Sequence, residues 1–255
     1  MLTGAHLAGA RVRESRLRWP VPLDLDWKLK GRRIDCIDRR GKYLIFRLDR
    51  AALIIHLGMS GSLRLLTTAQ PPEKHDHCDF LLTDGTMLRY RDPRRFGAII
   101  WSEEPDQHPL IASLGIEPLS DAFDGHWLHQ AVRGHRQPIK TWLMNAHVIV
   151  GVGNIYANES LFHAGIHPLT PTERLGPIRC RRLAAAVRST LERAISAGGS
   201  SLRDFVDGYG KPGYFQQTYA VYGREGLPCQ CCGNPVSMLR LGGRATYFCP
   251  RCQHK

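Results

Sequence analysis

Short apolar runs separated by turn residues characterise the first hundred positions of the chain. Between Ile34 and Ser102, examples are Tyr43–Phe46, Leu53–Leu57 and the two runs that flank Thr83-Asp84-Gly85. Runs of this length, bounded by Gly and Asp, are typical of strands joined by hairpins. The pattern therefore predicts an antiparallel sandwich or barrel in this part of the chain.

After Pro118 the spacing of apolar residues changes to a helical period. The clearest stripe lies between Pro177 and Gly198 and repeats every four residues: Leu183, Val187, Leu191 and Ile195. Proline at the start and glycine just beyond the end match the boundaries of a helix. The arginines of this segment, among them Arg188, fall mostly off the stripe, and we interpret them as a solvated face rather than as DNA contacts.

A glycine-punctuated turn, Val150–Ala157, joins the apolar run 142–150 to a second helix that continues through Phe162. Two glycines beside a helix N-terminus can expose backbone N–H groups that bind a phosphate. An ordinary connection between two helices fits the same residues, so the turn alone does not separate these two interpretations.

Four cysteines near the C-terminus have the spacing of a zinc site. Cys229 and Cys232 are separated by two residues, as are Cys249 and Cys252, with 16 residues between the pairs. Each pair can place two thiolates on one tetrahedral ion, and the intervening stretch is long enough for a hairpin. We predict one structural Zn²⁺, because four thiolates leave no open position for an activated water. Cys231, inside the first pair, is interpreted as a spectator.

The charge of the chain points to a polyanionic partner. Lys and Arg number 35 against 23 Asp and Glu, and apolar residues make up 43% of a chain of 255 residues, a balance typical of a folded domain. We find no apolar run long enough to cross a membrane and no secretory signal at the start. With cysteines grouped for metal binding, these features predict a cytoplasmic protein that does not insert into membranes.

A series of motifs in a fixed order extends from about Leu7 to the C-terminus. They are Arg16–Pro20, Gly41–Leu44, His56–Gly61, Lys74–His77, Asp92–Gly97, Gly151–Tyr156, Lys211–Phe215 and the cysteine pairs. Together they resemble the formamidopyrimidine-DNA glycosylase family of base-excision repair enzymes.

This resemblance implies an α+β fold with three domains. They are an N-terminal antiparallel β-sandwich over residues 1–118, a helix-two-turn-helix domain over 119–222 and a four-cysteine zinc ribbon over 223–255. The implied activity acts on double-stranded DNA that contains oxidised purines, such as 8-oxoguanine and formamidopyrimidines, or abasic sites. The enzyme extrudes the damaged base, cleaves its glycosidic bond through a Schiff base, and breaks the strand by β- and δ-elimination. The implied state is a monomer.

The resemblance also assigns roles to individual positions. Residues that fill the gap left by the extruded base are Met59, Arg94 and Phe96. Residues that hold the DNA backbone are His75, Arg94 and Asn154, with Lys140 expected to extend this basic track. The catalytic residues are Lys42, for β-elimination, and Arg244, for δ-elimination and phosphate contact. The segment Tyr214–Gln217 matches a lesion-covering loop, which favours the oxidised-purine branch over the related endonuclease VIII branch.

One departure concerns the amino terminus. The family begins with a proline, exposed after removal of methionine, that is followed by glutamate, whereas this sequence opens with Met1-Leu2-Thr3. A terminal amine with a pKa near 8 is partly unprotonated at neutral pH and can form the Schiff base, assisted by the adjacent carboxylate. We therefore expect the polypeptide as written to excise bases weakly or not at all.

Two other hypotheses stay open. One is a zinc-dependent protein that binds damaged DNA without cleaving it, and the other is a lyase that works through Lys42 on abasic sites only.

Overall fold

The computed structural model describes residues 2–68, 70–199 and 218–255. The described residues form two compact units, 2–112 and 113–199 with 218–255, which we call unit 1 and unit 2. Within these ranges, no helix combines the length and the apolar character that a membrane crossing requires.

Unit 1 consists mainly of strands. Its elements are β1 (Leu7–Val12), α1 (Leu25–Leu29), β2 (Ile34–Arg40), β3 (Tyr43–Leu48), β4 (Ala51–His56), β5 (Ser62–Leu66), β6 (Asp76–Leu82), β7 (Met87–Arg91), β8 (Ala98–Ser102) and α2 (Pro109–Ala112). The strands form two four-stranded antiparallel sheets, in the orders β1-β6-β7-β5 and β2-β3-β4-β8.

The two sheets pack face to face around one apolar core. Leu7, Phe80 and Tyr90 from the first sheet lie in the same buried cluster as Phe46 and Ile55 from the second. The alternation of strands and turns thus produces the predicted antiparallel sandwich, because each sheet turns its apolar face toward the other.

The predicted turn at Thr83-Asp84-Gly85 joins β6 and β7. Asp84 Oδ1 accepts hydrogen bonds from the backbone N (2.9 Å) and the hydroxyl (2.7 Å) of Thr86. Gly85 has a φ of +87°, which a side chain would disfavour. Short-range chemistry is therefore enough to specify this hairpin.

Unit 2 combines helices with a terminal hairpin. Its elements are α3 (Gly125–Val132), α4 (Ile139–Leu143), α5 (Asn154–His163), a short 3-10 turn (Thr172–Arg174), α6 (Pro177–Ser196), β9 (Ser237–Leu241) and β10 (Arg244–Phe248). The strands β9 and β10 form an antiparallel pair, and Tyr247 of β10 packs against a small separate core that includes Phe162 of α5.

Helix α6 begins at Pro177, as the sequence pattern predicts, and buries three members of the stripe: Leu183, Val187 and Leu191. The fourth, Ile195, is exposed in the last turn, beyond the packed part of the helix. Arg188 also differs from expectation, since its guanidinium donates hydrogen bonds to the carbonyls of Leu119, Ser120 and Phe123. It stabilises a loop inside unit 2 instead of facing solvent.

Candidate nucleic-acid interface and metal centre

Two loops of unit 1 carry the three side chains expected to fill a gap in DNA. We name these loops, 57–61 after β4 and 92–97 before β8, the loop platform. Met59 is 69% exposed and Phe96 45% exposed, while the guanidinium carbon of Arg94 lies 4.9 Å from the Phe96 ring centroid. Exposed apolar side chains that are grouped on one surface, unlike single scattered ones, are typical of an interaction site.

The backbones of the two loops touch each other. A Cβ atom added at Gly58, whose φ is +64°, would lie 2.6 Å from the Gly97 nitrogen and 2.6 Å from the Phe96 carbonyl carbon. Glycine is therefore required at this position both by its conformation and by the close approach. This approach places Met59 and Phe96 on adjoining stretches of backbone.

The proposed catalytic lysine lies near the platform in unit 1. Lys42 is exposed in the two-residue turn that follows Arg40 of β2 and precedes Tyr43 of β3. Its charge contributes to the environment of His56, whose pKa is lowered to about 4, first by burial and then by Lys42 and Arg18. A neutral His56 ring lies 4.8 Å from the Tyr43 ring.

His75 occupies the turn before β6 and has a φ of +78°. Its backbone carbonyl accepts a hydrogen bond from the Asp92 nitrogen at 3.1 Å, which connects this turn to the loop platform. The pKa of His75 is lowered, first by loss of solvent and then by the charges of Lys74 and Arg91. The imidazole therefore stands in a basic environment, which suits a phosphate contact.

In unit 2, a glycine turn precedes α5. Gly151 has a φ of +79°, and Gly153 caps the helix without a side-chain hydrogen bond. Asn154, the first residue of α5, donates from Nδ2 to the Ala245 carbonyl at 3.1 Å. The helix N-terminus and the terminal hairpin thus meet next to Arg244.

Arg244 follows the tip of the β9-β10 hairpin, formed by Gly242 (φ +55°) and Gly243 (φ +73°). Its side chain is exposed, with Nη1 4.0 Å from the Met144 sulfur. A cavity of about 240 Å³ lies beside it, lined by Lys140, Thr141, Met144, Asn145, Leu241, Gly242 and Arg244. An arginine held at a glycine tip is well placed to bind a phosphate.

The structure contradicts the expectation that Lys140 extends an exposed basic track. Lys140 is only 1% exposed, and its Nζ donates to the Ala245 carbonyl at 2.9 Å and to the Thr246 hydroxyl at 2.7 Å. Its pKa is lowered to about 8, first by burial and then by the charge of Arg244. Lys140 therefore holds the hairpin that presents Arg244, and its own ammonium is occupied by that hairpin.

The four predicted cysteine ligands converge in unit 2. Their sulfur atoms lie within 4.8 Å of one another, with Cys229 and Cys252 at 3.9 Å and Cys232 and Cys249 at 3.5 Å. Thiolates on a tetrahedral zinc ion with bonds of about 2.3 Å would be separated by about 3.8 Å. The donor set therefore fits one structural zinc ion, and Cys231 lies outside it on the surface.

The segment Tyr214–Gln217, predicted to cover the lesion, lies outside the described residues. Sequence reasoning assigned no role to Asp92 and Ser60, although both belong to the quoted motifs. The acidic residue at the start of the loop 92–97 could have been noticed, but its burial and its partners could not be inferred from spacing.

Models of known domains match almost the whole chain. The N-terminal domain of formamidopyrimidine-DNA glycosylase matches residues 1–99, the H2TH domain of that enzyme matches 114–206, and a zinc finger found in FPG and IleRS matches 226–255.

Individual relatives and solved structures agree with these matches. The chain is 54% identical to the formamidopyrimidine-DNA glycosylase of Methylobacillus flagellatus, over 99% of this chain and 91% of the relative, and 56% identical to that of Laribacter hongkongensis, over 99% and 93%. The fold is similar to Lactococcus lactis Fpg in complex with DNA containing an abasic site (TM-score 0.90, 34% identity, 100% and 94% coverage). It is also similar to MutM (FPG) from Thermus thermophilus (TM-score 0.85, 39% identity, 99% and 92% coverage).

Proposed function

The chain belongs to the formamidopyrimidine-DNA glycosylase family, and from this membership we propose that it removes oxidised purines from double-stranded DNA and cleaves the strand at the resulting abasic site. The observation that carries the proposal is the loop platform. Met59, Arg94 and Phe96 are all exposed on two loops whose backbones are in contact.

Extruding a base from a duplex costs a few kcal/mol, because stacking and pairing are lost. Side chains that enter the gap offset part of this cost. A flexible thioether, a planar cation and an aromatic ring are suited to stack between bases. Met59, Arg94 and Phe96 therefore stabilise the state in which the damaged nucleotide lies outside the helix.

Polar groups of each unit would hold the DNA backbone. In our proposal His75 and Arg94 bind phosphates from unit 1, and Asn154 and Arg244 bind them from unit 2. Bound zinc would act structurally, holding the two cysteine pairs together so that the hairpin can present Arg244. Lys140 supports the same hairpin from inside.

We assign proton transfer during β-elimination to Lys42 and stabilisation of the leaving phosphate during δ-elimination to Arg244. No residue in the described ranges is assigned as the Schiff-base nucleophile. The division into domains 1–118, 119–222 and 223–255, and action as a monomer in the bacterial cytoplasm and nucleoid, also belong to the proposal.

Binding to matched duplexes tests the recognition step. Fluorescence anisotropy would compare an undamaged duplex with duplexes that carry 8-oxoguanine or a tetrahydrofuran abasic analogue. We expect affinity for the damaged duplexes to be higher by about tenfold or more, and all affinities to fall with rising salt. Met59→Ala should reduce this preference by about fivefold, whereas Ile178→Ala, at an exposed apolar residue of α6, should leave it unchanged. Equal affinity for damaged and undamaged duplexes would refute the proposal.

Borohydride trapping separates an enzyme from a protein that only binds lesions. A reduced covalent complex between the purified chain and an abasic duplex would show Schiff-base chemistry. Lesion-specific binding without any such complex would favour the alternative, a non-catalytic damaged-DNA-binding protein. Lys42→Ala in the same assay tests whether strand cleavage at abasic sites depends on that lysine.

A further inference from the structure

A single buried carboxylate connects the segments of the loop platform. Asp92 is fully buried, and among the described residues no lysine or arginine forms an ion pair with it. We propose that Asp92 is a positioning residue that holds Met59, Arg94 and Phe96 in one preorganised unit, so that they enter the base stack together. The inference rests on the proposed function, because it concerns the same lesion-binding surface.

Both carboxylate oxygens of Asp92 are used. Oδ1 accepts from the Ser60 hydroxyl at 2.7 Å and from the Arg94 backbone nitrogen at 3.3 Å. Oδ2 accepts from the Gly97 nitrogen at 2.8 Å and from the Tyr90 hydroxyl at 3.3 Å. The donors come from both loops of the platform and from strand β7.

Ser60 closes the connection between the two loops. It directly follows Met59, and its hydroxyl oxygen also accepts from the Arg94 nitrogen at 3.2 Å. Met59 is thus the sequence neighbour of a serine whose hydroxyl is hydrogen-bonded to the backbone of Arg94. At the other end of this loop, the Gly58 nitrogen donates to Nδ1 of His56 at 3.0 Å.

The backbone of Asp92 extends the same network to the predicted phosphate-binding turn. Its nitrogen donates to the His75 carbonyl at 3.1 Å, and its carbonyl accepts from Nε2 of His77 at 2.8 Å. Of the residues that the proposed function assigns to DNA, His75 and Arg94 are hydrogen-bonded to Asp92 directly. Met59 and Phe96 each adjoin in sequence a residue, Ser60 or Gly97, that is hydrogen-bonded to it.

Preorganisation explains why a buried charge would be retained here. Loops that must order on binding lose conformational entropy, which weakens the complex. A carboxylate surrounded by neutral donors fixes the geometry of those donors, and its bonds are stronger than neutral ones. If Asp92 only supported the sandwich, its loss would weaken binding to every duplex equally. If it positions the platform, its loss would affect damaged duplexes selectively.

Asp92→Asn makes this distinction. The amide has nearly the same shape as the carboxylate, but its NH₂ group would face N–H or O–H donors from which the carboxylate oxygen accepts hydrogen bonds. We expect affinity for an undamaged duplex to stay within about twofold of the unmodified chain, since phosphate contacts dominate that binding. Preference for the tetrahydrofuran duplex should fall by about fivefold or more. The fluorescence of 2-aminopurine placed opposite the lesion should lose its change on binding, because the gap is no longer filled.

Asp84→Asn is the matched control. Asp84 also accepts two hydrogen bonds in a turn of unit 1, but it is exposed at the β6-β7 hairpin. This variant should keep both affinities and the 2-aminopurine signal. Thermal unfolding of both variants reports whether the sandwich is intact. If Asp92→Asn does not fold, Ser60→Ala, which removes the hydroxyl between the loops, takes its place with the same expected loss of preference.

The outcomes separate the inference from the proposed function. If the unmodified chain does not distinguish the duplexes, the proposed function fails and this inference fails with it. If Met59→Ala lowers the preference while Asp92→Asn and Ser60→Ala do not, only the inference is overturned. A parallel loss of affinity for damaged and undamaged duplexes would also overturn it, since that result indicates a purely structural role.

Discussion

His56, at the end of β4, shows how burial determines the chemistry of one residue. Its Nδ1 accepts a hydrogen bond from the Gly58 nitrogen, so this atom must be unprotonated. Burial and the charges of Lys42 and Arg18 lower its pKa to about 4. The neutral ring therefore supports the loop that carries Met59.

A pH dependence of stability follows from this pKa. Between about pH 6.5 and pH 4 the unfolded chain binds a proton at His56 and the folded chain does not, so the free energy of unfolding decreases as the pH falls. From pH 7 to pH 5 we expect His56 to contribute a loss of about 1 to 2 kcal/mol, measured by urea denaturation.

His56→Asn should remove this contribution, because the amide oxygen can accept from Gly58 and does not titrate. His126→Asn, at an exposed residue of α3, serves as the control and should keep the pH dependence of the unmodified chain. An unchanged pH dependence in His56→Asn would contradict the prediction.

At the scale of elements, α5 organises the terminal hairpin of unit 2. Asn154 at its start binds the Ala245 carbonyl, and Asn158 Oδ1 accepts from the Tyr247 nitrogen at 2.7 Å. Glu159, only 1% exposed, accepts backbone N–H bonds from Ala220, Val221 and Tyr222 at 2.8 to 3.1 Å. One face of a ten-residue helix thus fixes both the hairpin and the segment that leads to it.

Glu159→Gln tests this anchoring. The new NH₂ group cannot accept from a backbone N–H, so at least one of the three amides loses its partner, at a cost of about 1 to 3 kcal/mol. Hydrogen exchange should accelerate about fivefold or more at Ala220–Tyr222. Glu192→Gln, on the exposed side of α6, should leave these rates unchanged. Equal protection in Glu159→Gln would show that the carboxylate is dispensable.

At the scale of the whole molecule, the sandwich of unit 1 and the cysteine-rich end of unit 2 differ in what stabilises them. Unit 1 has a sandwich core built from both of its sheets. The cysteine-rich end of unit 2 has a much smaller core, in which Cys229 and Cys249 lie beside Phe162, Val221 and Val236. A core of this size needs a further constraint, which four metal-bound thiolates supply.

Removal of zinc should therefore unfold the hairpin and leave the sandwich folded. We expect one zinc per chain by atomic emission, its loss in Cys232→Ser and its retention in Cys231→Ser, since only Cys232 belongs to the converging set. Limited proteolysis of the zinc-depleted chain should cleave within residues 223–255 first. Full zinc content in Cys232→Ser, or its loss in Cys231→Ser, would show that the ligand set is wrong.

The sequence alone was sufficient to predict features that depend on interactions between residues close together in the chain. The hairpin at Asp84, the start of α6 and the zinc ligands were all predictable, because turn chemistry, helix boundaries and cysteine spacing act over a few residues. The order of the motifs was likewise enough to indicate the family. Apart from the order of the motifs, these features need little information about distant parts of the chain.

Tertiary structure alone decided which charged side chains are available to a ligand. Lys140 was expected to extend a basic track for DNA, but Ala245 and Thr246, more than 100 positions away, accept hydrogen bonds from its Nζ inside unit 2. The side chains of Arg188 and Asp92 likewise form hydrogen bonds with residues that lie far from them in sequence, Ser120 and Ser60 respectively. Burial of a polar group is tolerated only where partners converge on it, and that convergence is a property of the folded chain.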